Sequence, residues 1–252
     1  MPDPILETEA LTRRFAGLLA VNAVTLSFAP GRIHAVIGPN GAGKSTLINL
    51  LSGEIKPSAG HIRFLGRDIT GATPDMVSRL GIGRSFQKTN VFPRFTAFEN
   101  CRLAAQSCLR SSMRFFRPAS RYEAPRRAAR QALERVGLGA RAEEPAQALS
   151  HGEQRQLEIA MVLASSAKLL LLDEPLAGMG AEESRAAVAL LKEIGRDHTL
   201  VLVEHDMDAV FAIADTLTVM VNGEVVASGP VETVRANRAV QDAYLGHAED
   251  AP

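Results

Sequence analysis

The sequence predicts an α/β fold with a parallel sheet, and three observations carry that expectation. A short apolar segment, Ile33 to Ile37, runs into the glycine-rich turn Gly38-Pro39-Asn40-Gly41-Ala42-Gly43-Lys44-Ser45-Thr46, after which Leu47, Ile48, Leu50 and Leu51 recur at helical spacing. Two continuous apolar runs, Leu169 to Leu172 and Leu200 to Val203, suit strands buried on both faces of a parallel sheet. From about residue 96 to about residue 165 the texture turns helical.

Composition sets the bounds. Of 252 residues 46% are hydrophobic and 22% charged, enough for one large domain or a core with an inserted subdomain. Lys plus Arg and Asp plus Glu both number 28, so no net field recruits nucleic acid or an anionic membrane. Cys101 and Cys108 have no nearby Cys or His at metal-site spacing and read as free thiols in a reducing compartment. Met1-Pro2-Asp3-Pro4 lacks the basic start and apolar core of a signal peptide. No apolar run approaches the ~20 residues of a membrane span. A cytosolic chain is expected, tied to a membrane only through a partner.

Taken in order, residues 5–29 read as short strands around a turn, with Val24, Leu26 and Phe28 alternating with polar neighbours. Residues 54–70 are strand and turn around Gly60 to Gly66, and Gly81 to Gln87 is a strand ending on a glutamine. Phe98 to Ala105 and Ala128 to Val136 are helically periodic. Between them Arg110, Arg114, Phe115, Phe116, Arg117, Arg121, Tyr122, Arg126 and Arg127 interleave basic groups with rings, a pattern that suits nucleic acid or lipid headgroups. Pro118 and Pro125 break it, and a solvated surface insertion is expected instead. A helix opens at Ser150 and runs through Leu157, Ile159 and Ala160. Val219 to Gly229 reads as a closing hairpin that turns at Asn222-Gly223, and a helical tail ends at Ala243 to Gly246.

The chemistry concentrates at the ends of these elements. Gly38, Gly43, Lys44 and Ser45 satisfy the phosphate-loop pattern in a strand–turn–helix context. Glycines let the backbone aim successive N–H groups inward, and a helix N-terminus adds partial positive charge. Lys44 can then reach β- and γ-phosphates while the Ser45 hydroxyl ligates magnesium. Phe15, just upstream, is either a stacking platform for a base or a core residue. Ser150 and Glu153 form a capping box, which by itself needs no ligand but leaves a helix N-terminus open to an anion. Asp173 and Glu174 end a buried strand, where carboxylates are costly unless they meet a cation or a polar substrate. Asp173 can hold magnesium, and Glu174 can orient and deprotonate a water. His205 lies past the C-terminal edge of another strand, where ligands collect in open α/β sheets.

Together these pieces resemble an ATP-binding-cassette ATPase over residues 5–246, and most specifically the ATP-binding subunit of branched-chain amino acid importers. In that likeness Gly38 to Thr46 is the Walker A loop and Gln87 the Q-loop glutamine. Leu149 to Gln154 is the signature, with Ser150, Gly152 and Glu153 facing a nucleotide. Leu169 to Glu174 is the Walker B strand, Leu176 to Gly180 the D-loop and His205 the switch histidine. The branch rests on Gly83-Arg84-Ser85-Phe86-Gln87, Ala177-Gly178-Met179-Gly180, Val203-Glu204-His205-Asp206-Met207-Asp208 and Tyr244-Leu245-Gly246; urea, amide and other amino-acid importers resemble it too. Three positions depart from the wider family: His151 and Glu153 replace a glycine and a glutamine in the signature, and Gly180 replaces the D-loop aspartate.

The resemblance implies a P-loop NTPase (RecA-like) core with an antiparallel β subdomain, at about 5–95 and 166–246, and a helical subdomain inserted at about 96–165. Residues 1–252 then form a single nucleotide-binding domain with 247–252 as its tail. It implies ATP and Mg2+ as cofactors, Glu174, His205 and Gln87 as catalytic residues, and Ser45, Gln87 and Asp173 around the metal. It implies a second cassette, so that each ATP lies between one chain's phosphate loop and the other's signature. Membrane-spanning permease subunits would be direct partners and a solute-binding protein an indirect one, with no role for nucleic acid. The chain would sit peripherally on the cytoplasmic face of the cell membrane. Val91-Phe92-Pro93-Arg94-Phe95 is expected either to expose an apolar docking patch or to tuck into the core. A P-loop small-molecule kinase is the rival from another class; it needs an acceptor pocket and no 149–154 motif. A soluble cassette acting on ribosomes or DNA would need two cassettes or a long coiled-coil insertion.

Overall fold

The computed structural model describes residues 3–85, 90–107 and 122–245. Leu6–Phe15 (β1) and Leu18–Phe28 (β2) form an antiparallel pair, and Ala59–Phe64 (β4) and Arg67–Asp68 (β5) extend it in the order β2-β1-β4-β5. The first two strands are 10 and 11 residues long rather than short. Their alternation is reset by register shifts around Ala10 and Ala23, both at positive φ, so their length is not visible as a simple period of two.

The second sheet has the order β10-β9-β3-β8-β7-β6. Ile33–Ile37 (β3), Leu169–Asp173 (β7), Thr199–Val203 (β8), Thr216–Val221 (β9) and Ile82–Arg84 (β6) run parallel; Glu224–Pro230 (β10) closes the edge antiparallel, through Asn222 and Gly223 at φ 50 and 83. The apolar runs are buried on both faces, as their lack of alternation required. Leu169, Leu171, Val201 and Val203 face a core shared with the antiparallel sheet and with Lys44–Leu51 (α1). Leu170, Leu172, Leu200 and Leu202 face a second core that also takes the inserted helices.

Those helices are Ala97–Ser107 (α3), Glu123–Arg135 (α4) and His151–Ala164 (α5), which pack on one another. A further helix, Pro74–Leu80 (α2), is not anticipated by the sequence pattern; a proline in its first turn is compatible with helix but hid it. Pro125 likewise sits in the first turn of α4 and does not break it, while Arg126 and Arg127 are exposed on that helix as a solvated face requires. Arg110, Arg114, Phe115, Phe116, Arg117 and Arg121 lie outside the described residues, as does Cys108. Cys101 is a buried free thiol whose burial pushes its pKa up to about 12. Ala181–Ile194 (α6), Met207–Ile213 (α7), Val231–Arg235 (α8) and Arg238–Leu245 (α9) complete the chain. No helix among the described residues is long and apolar enough to cross a membrane.

Candidate functional site

The turn between β3 and α1 is shaped by close approach. A Cβ on Gly38 would lie 2.1 Å from the Met220 carbonyl oxygen, and one on Gly43, at φ 97, would lie 2.3 Å from that of Ala20. Only glycine fits at either position, so the loop is clamped between β9 and β2. Gly41 and Gly43 take positive φ, the left-handed geometry that turns backbone N–H groups toward one centre. Lys44 is buried at the start of α1 and its ammonium donates to the carbonyls of Gly38 at 2.7 Å and Pro39 at 3.0 Å. Burial pulls the Lys44 pKa down, while the Glu174 and Asp173 carboxylates pull it back up. A cleft of about 460 Å3 opens over this loop. It is lined by Phe15, Leu18 to Ala20, Asn40 to Thr46, Glu174 and Asn222.

Phe15 is not a core residue. It is 39% exposed, stands at the cleft, and carries the Arg13 guanidinium 4.5 Å from its ring centroid. The Leu18 to Ala20 edge escapes a sequence-based search, because the bulged β1–β2 hairpin brings it to the cleft and no local motif marks it, while Asn222 arrives on the β9–β10 turn.

Asp173 ends β7 and is 2% exposed. Its Oδ2 is 3.7 Å from the Arg84 guanidinium, which also donates to the Ser52 hydroxyl at 2.8 Å. Among the described residues its buried Oδ1 has no hydrogen-bond partner. Burial raises the Asp173 pKa, Glu174 adds to the rise, and Arg84 and Lys44 oppose it. Arg84 sits within Gly83 to Gln87, a stretch whose sequence points to the glutamine and not to the arginine. Glu174 follows with φ 50, a left-handed conformation that is strained for a glutamate and is held by its N–H on the Val203 carbonyl at 2.9 Å. That backbone aims Glu174 into the same cleft as Lys44.

Among the described residues no cluster of three or more His, Cys, Asp or Glu could hold a metal ion. Magnesium does not demand one: it keeps several waters and takes one or two protein ligands plus substrate phosphates. The buried Asp173 Oδ1 and the exposed Ser45 hydroxyl would serve as such ligands, so the residues fit. Gln87 lies outside the described residues.

His205 follows β8 with its side chain 67% exposed. The buried Glu204 before it accepts from the Leu176 N–H at 2.9 Å and the His205 N–H at 3.2 Å, tying the loop after β7 to the loop after β8. Burial raises the Glu204 pKa against those two hydrogen bonds.

The 149–154 motif stands elsewhere. Ser150 caps α5, accepting from the Glu153 N–H at 3.2 Å, while the Glu153 carboxylate accepts from the Ser150 N–H at 2.7 Å. Glu153 also contacts Arg141. His151 is exposed and its ring lies against Gly178; a Cβ on Gly152 would lie 2.9 Å from Glu183, which accepts from the Gly180 N–H at 3.1 Å. The 150–153 turn and the 176–180 loop therefore form one continuous surface. None of Ser150, Gly152 or Glu153 lines the phosphate-loop cleft. The phosphate-loop cleft and the 150–153 turn thus stand apart on one chain.

Beyond the undescribed 86–89 stretch, Phe92 and Phe95 are 53% and 41% exposed, with ring centroids 5.4 Å apart. The buried Asn100 side chain pins their loop, accepting from the Phe92 N–H at 2.8 Å and donating to the Phe92 and Thr96 carbonyls. Of the two alternatives for this segment, the exposed apolar patch is the one observed.

Comparison with known proteins agrees with this geometry. The ABC transporter family model matches residues 21–177, and that of the branched-chain amino acid ATP-binding cassette transporter matches 224–250. The chain is 39% identical to the high-affinity branched-chain amino acid transport ATP-binding protein BraF of Pseudomonas aeruginosa, over 98% of this chain and 100% of that protein. It is 38% identical to LivG of Escherichia coli K12 over the same shares. Among solved structures, a nucleotide-free ATP-binding cassette from an ABC transporter superposes with TM-score 0.85 at 29% identity, covering 96% of this chain and 98% of that one.

Proposed function

From the premise that this chain belongs to the ABC transporter family, as an ATPase of that family, we infer that it powers an importer of branched-chain or related amino acids. The observation that carries this reading is the separation of the phosphate-loop cleft from the 150–153 turn on one chain. A small-molecule kinase has no use for a capped, outward-facing 150–153 turn; a two-cassette sandwich does.

In this mechanism the loop amides and Lys44 bind the β- and γ-phosphates, and Phe15 stacks on the adenine with Arg13 behind its ring. Ser45 and the Asp173 carboxylate would hold magnesium, which would supply neutralisation of the phosphate charge. Glu174 orients a water and takes its proton. His205, on the loop after β8, reaches toward the γ-phosphate on closure, and Gln87 also contributes to catalysis. Ser150, Gly152 and the first turn of α5 meet the nucleotide of the second cassette. Glu153 has both oxygens engaged within its own chain, so its role is to shape that turn. The exposed Phe92 and Phe95 dock a membrane-spanning permease subunit, placing the chain peripherally on the cytoplasmic face of the cell membrane. Specificity for the solute resides in the permease and its binding protein.

The test is ATP hydrolysis by the intact membrane complex, reconstituted with its solute-binding protein and supplied in turn with leucine, isoleucine, valine, urea and short amides. Stimulation by the branched-chain amino acids is expected. Stimulation by urea or amides alone would redirect the substrate, and phosphate transfer to a small acceptor would overturn the importer reading.

A further inference from the structure

The 150–153 turn carries a carboxylate where an anion must approach. Glu153 is held by the cap N–H of Ser150 and by Arg141, and that cap hydrogen bond keeps its pKa below the usual range, so it is a fixed negative charge. Glu183 adds a second carboxylate against Gly152. Arg141 comes from the short helical turn Gly139–Arg141, which follows α4 and lies outside the 149–154 motif. Its guanidinium bridges Glu153, Glu144 at 2.6 Å and the Ala148 carbonyl at 3.3 Å. The fork thus fixes the approach to α5 and faces its acidic cap at once.

The geometry points to Arg141 as a positioning residue for the nucleotide sandwich: it holds the Glu153 carboxylate in the α5 cap and offsets part of the negative charge there, where the second chain's γ-phosphate docks. This rests on the two-cassette reading and explains how a signature turn bearing glutamate meets a triphosphate. Without Arg141 an uncompensated carboxylate faces the incoming phosphates. With a neutral amide at position 153, that requirement disappears.

The experiment uses full-length chain carrying Glu174→Gln, so that ATP is retained, and reads the ATP concentration giving half-maximal dimer by sedimentation. Adding Arg141→Ala is expected to raise that concentration by roughly tenfold in 0.1 M salt, and by less in 1 M salt, where the Debye length falls to about 3 Å. Adding Glu153→Gln to Arg141→Ala should restore it to within about twofold, and Arg141→Lys, which keeps the charge but loses the bridging fork, should give a shift smaller than that of Arg141→Ala. Fluorescent ATP binding to the monomer should be unchanged throughout, which separates this effect from misfolding. A salt-independent defect that Glu153→Gln does not rescue would overturn the charge role, as would no defect at all. A Glu174→Gln parent that binds ATP and never dimerises would instead overturn the self-pairing that the inference stands on.

Discussion

The phosphate-loop cleft and the α5 cap both present N–H groups at a helix start, yet they are built in opposite ways. At Lys44 the loop is clamped by the carbonyls of Met220 and Ala20, the lysine is buried, and a buried carboxylate oxygen waits at Asp173. At Ser150 the cap satisfies itself with its own glutamate, and Ser150 and His151 are exposed while Gly152 is buried. The first region is a binding site unfinished without a ligand; the second is a finished helix end that gains a task only when another molecule covers it. On the two-cassette reading proposed above, the difference gives binding to the single chain and turnover to the pair.

Glu174→Gln breaks the comparison hardest. It keeps the shape but removes the proton acceptor, so kcat should fall about 10²–10⁴-fold while ATP affinity stays near parental. Single-turnover hydrolysis beside calorimetry checks both, and near-parental hydrolysis would remove Glu174 from the role of base. Lys44→Ala acts on binding instead. Losing charge-assisted contacts worth about 1.5–3 kcal/mol each should weaken ATP affinity of the isolated chain by roughly tenfold to a hundredfold or more. An unchanged affinity would refute the phosphate-loop assignment.

Ser150→Ala sharpens the other side. It should cost about 1 kcal/mol of stability by thermal melting through the lost cap, lower dimer-dependent hydrolysis, and leave ATP binding to the monomer intact. Smallest in the soluble chain is the pair Phe92→Ser and Phe95→Ser. Exposed aromatic rings contribute little there, so stability should move by at most about 0.5 kcal/mol and soluble hydrolysis by less than twofold. Co-purification with the permease subunits should nevertheless fall sharply, and misfolding would show that the rings are core.

The sequence made legible what is local. The strand–turn–helix of 33–51, the doubly buried runs of β7 and β8, the Asn222-Gly223 hairpin and the Ser150 capping box each follow from residues a few positions apart. What it hid depends on long-range packing or on backbone departures. The bulges at Ala10 and Ala23 disguised two long strands as short ones. Arg84 meets Asp173 and Arg141 meets Glu153 only after the chain has folded, and nothing in their neighbours announces those pairs. The positive φ of Glu174 is equally silent, because a glutamate there gives no sign that its backbone is left-handed.

The most direct measurement is sedimentation of the full-length Glu174→Gln chain with and without ATP. Two separate half-sites that complete each other across two copies predict a monomer without nucleotide and an ATP-bound dimer with it. A chain that loads ATP and remains strictly monomeric would contradict self-pairing.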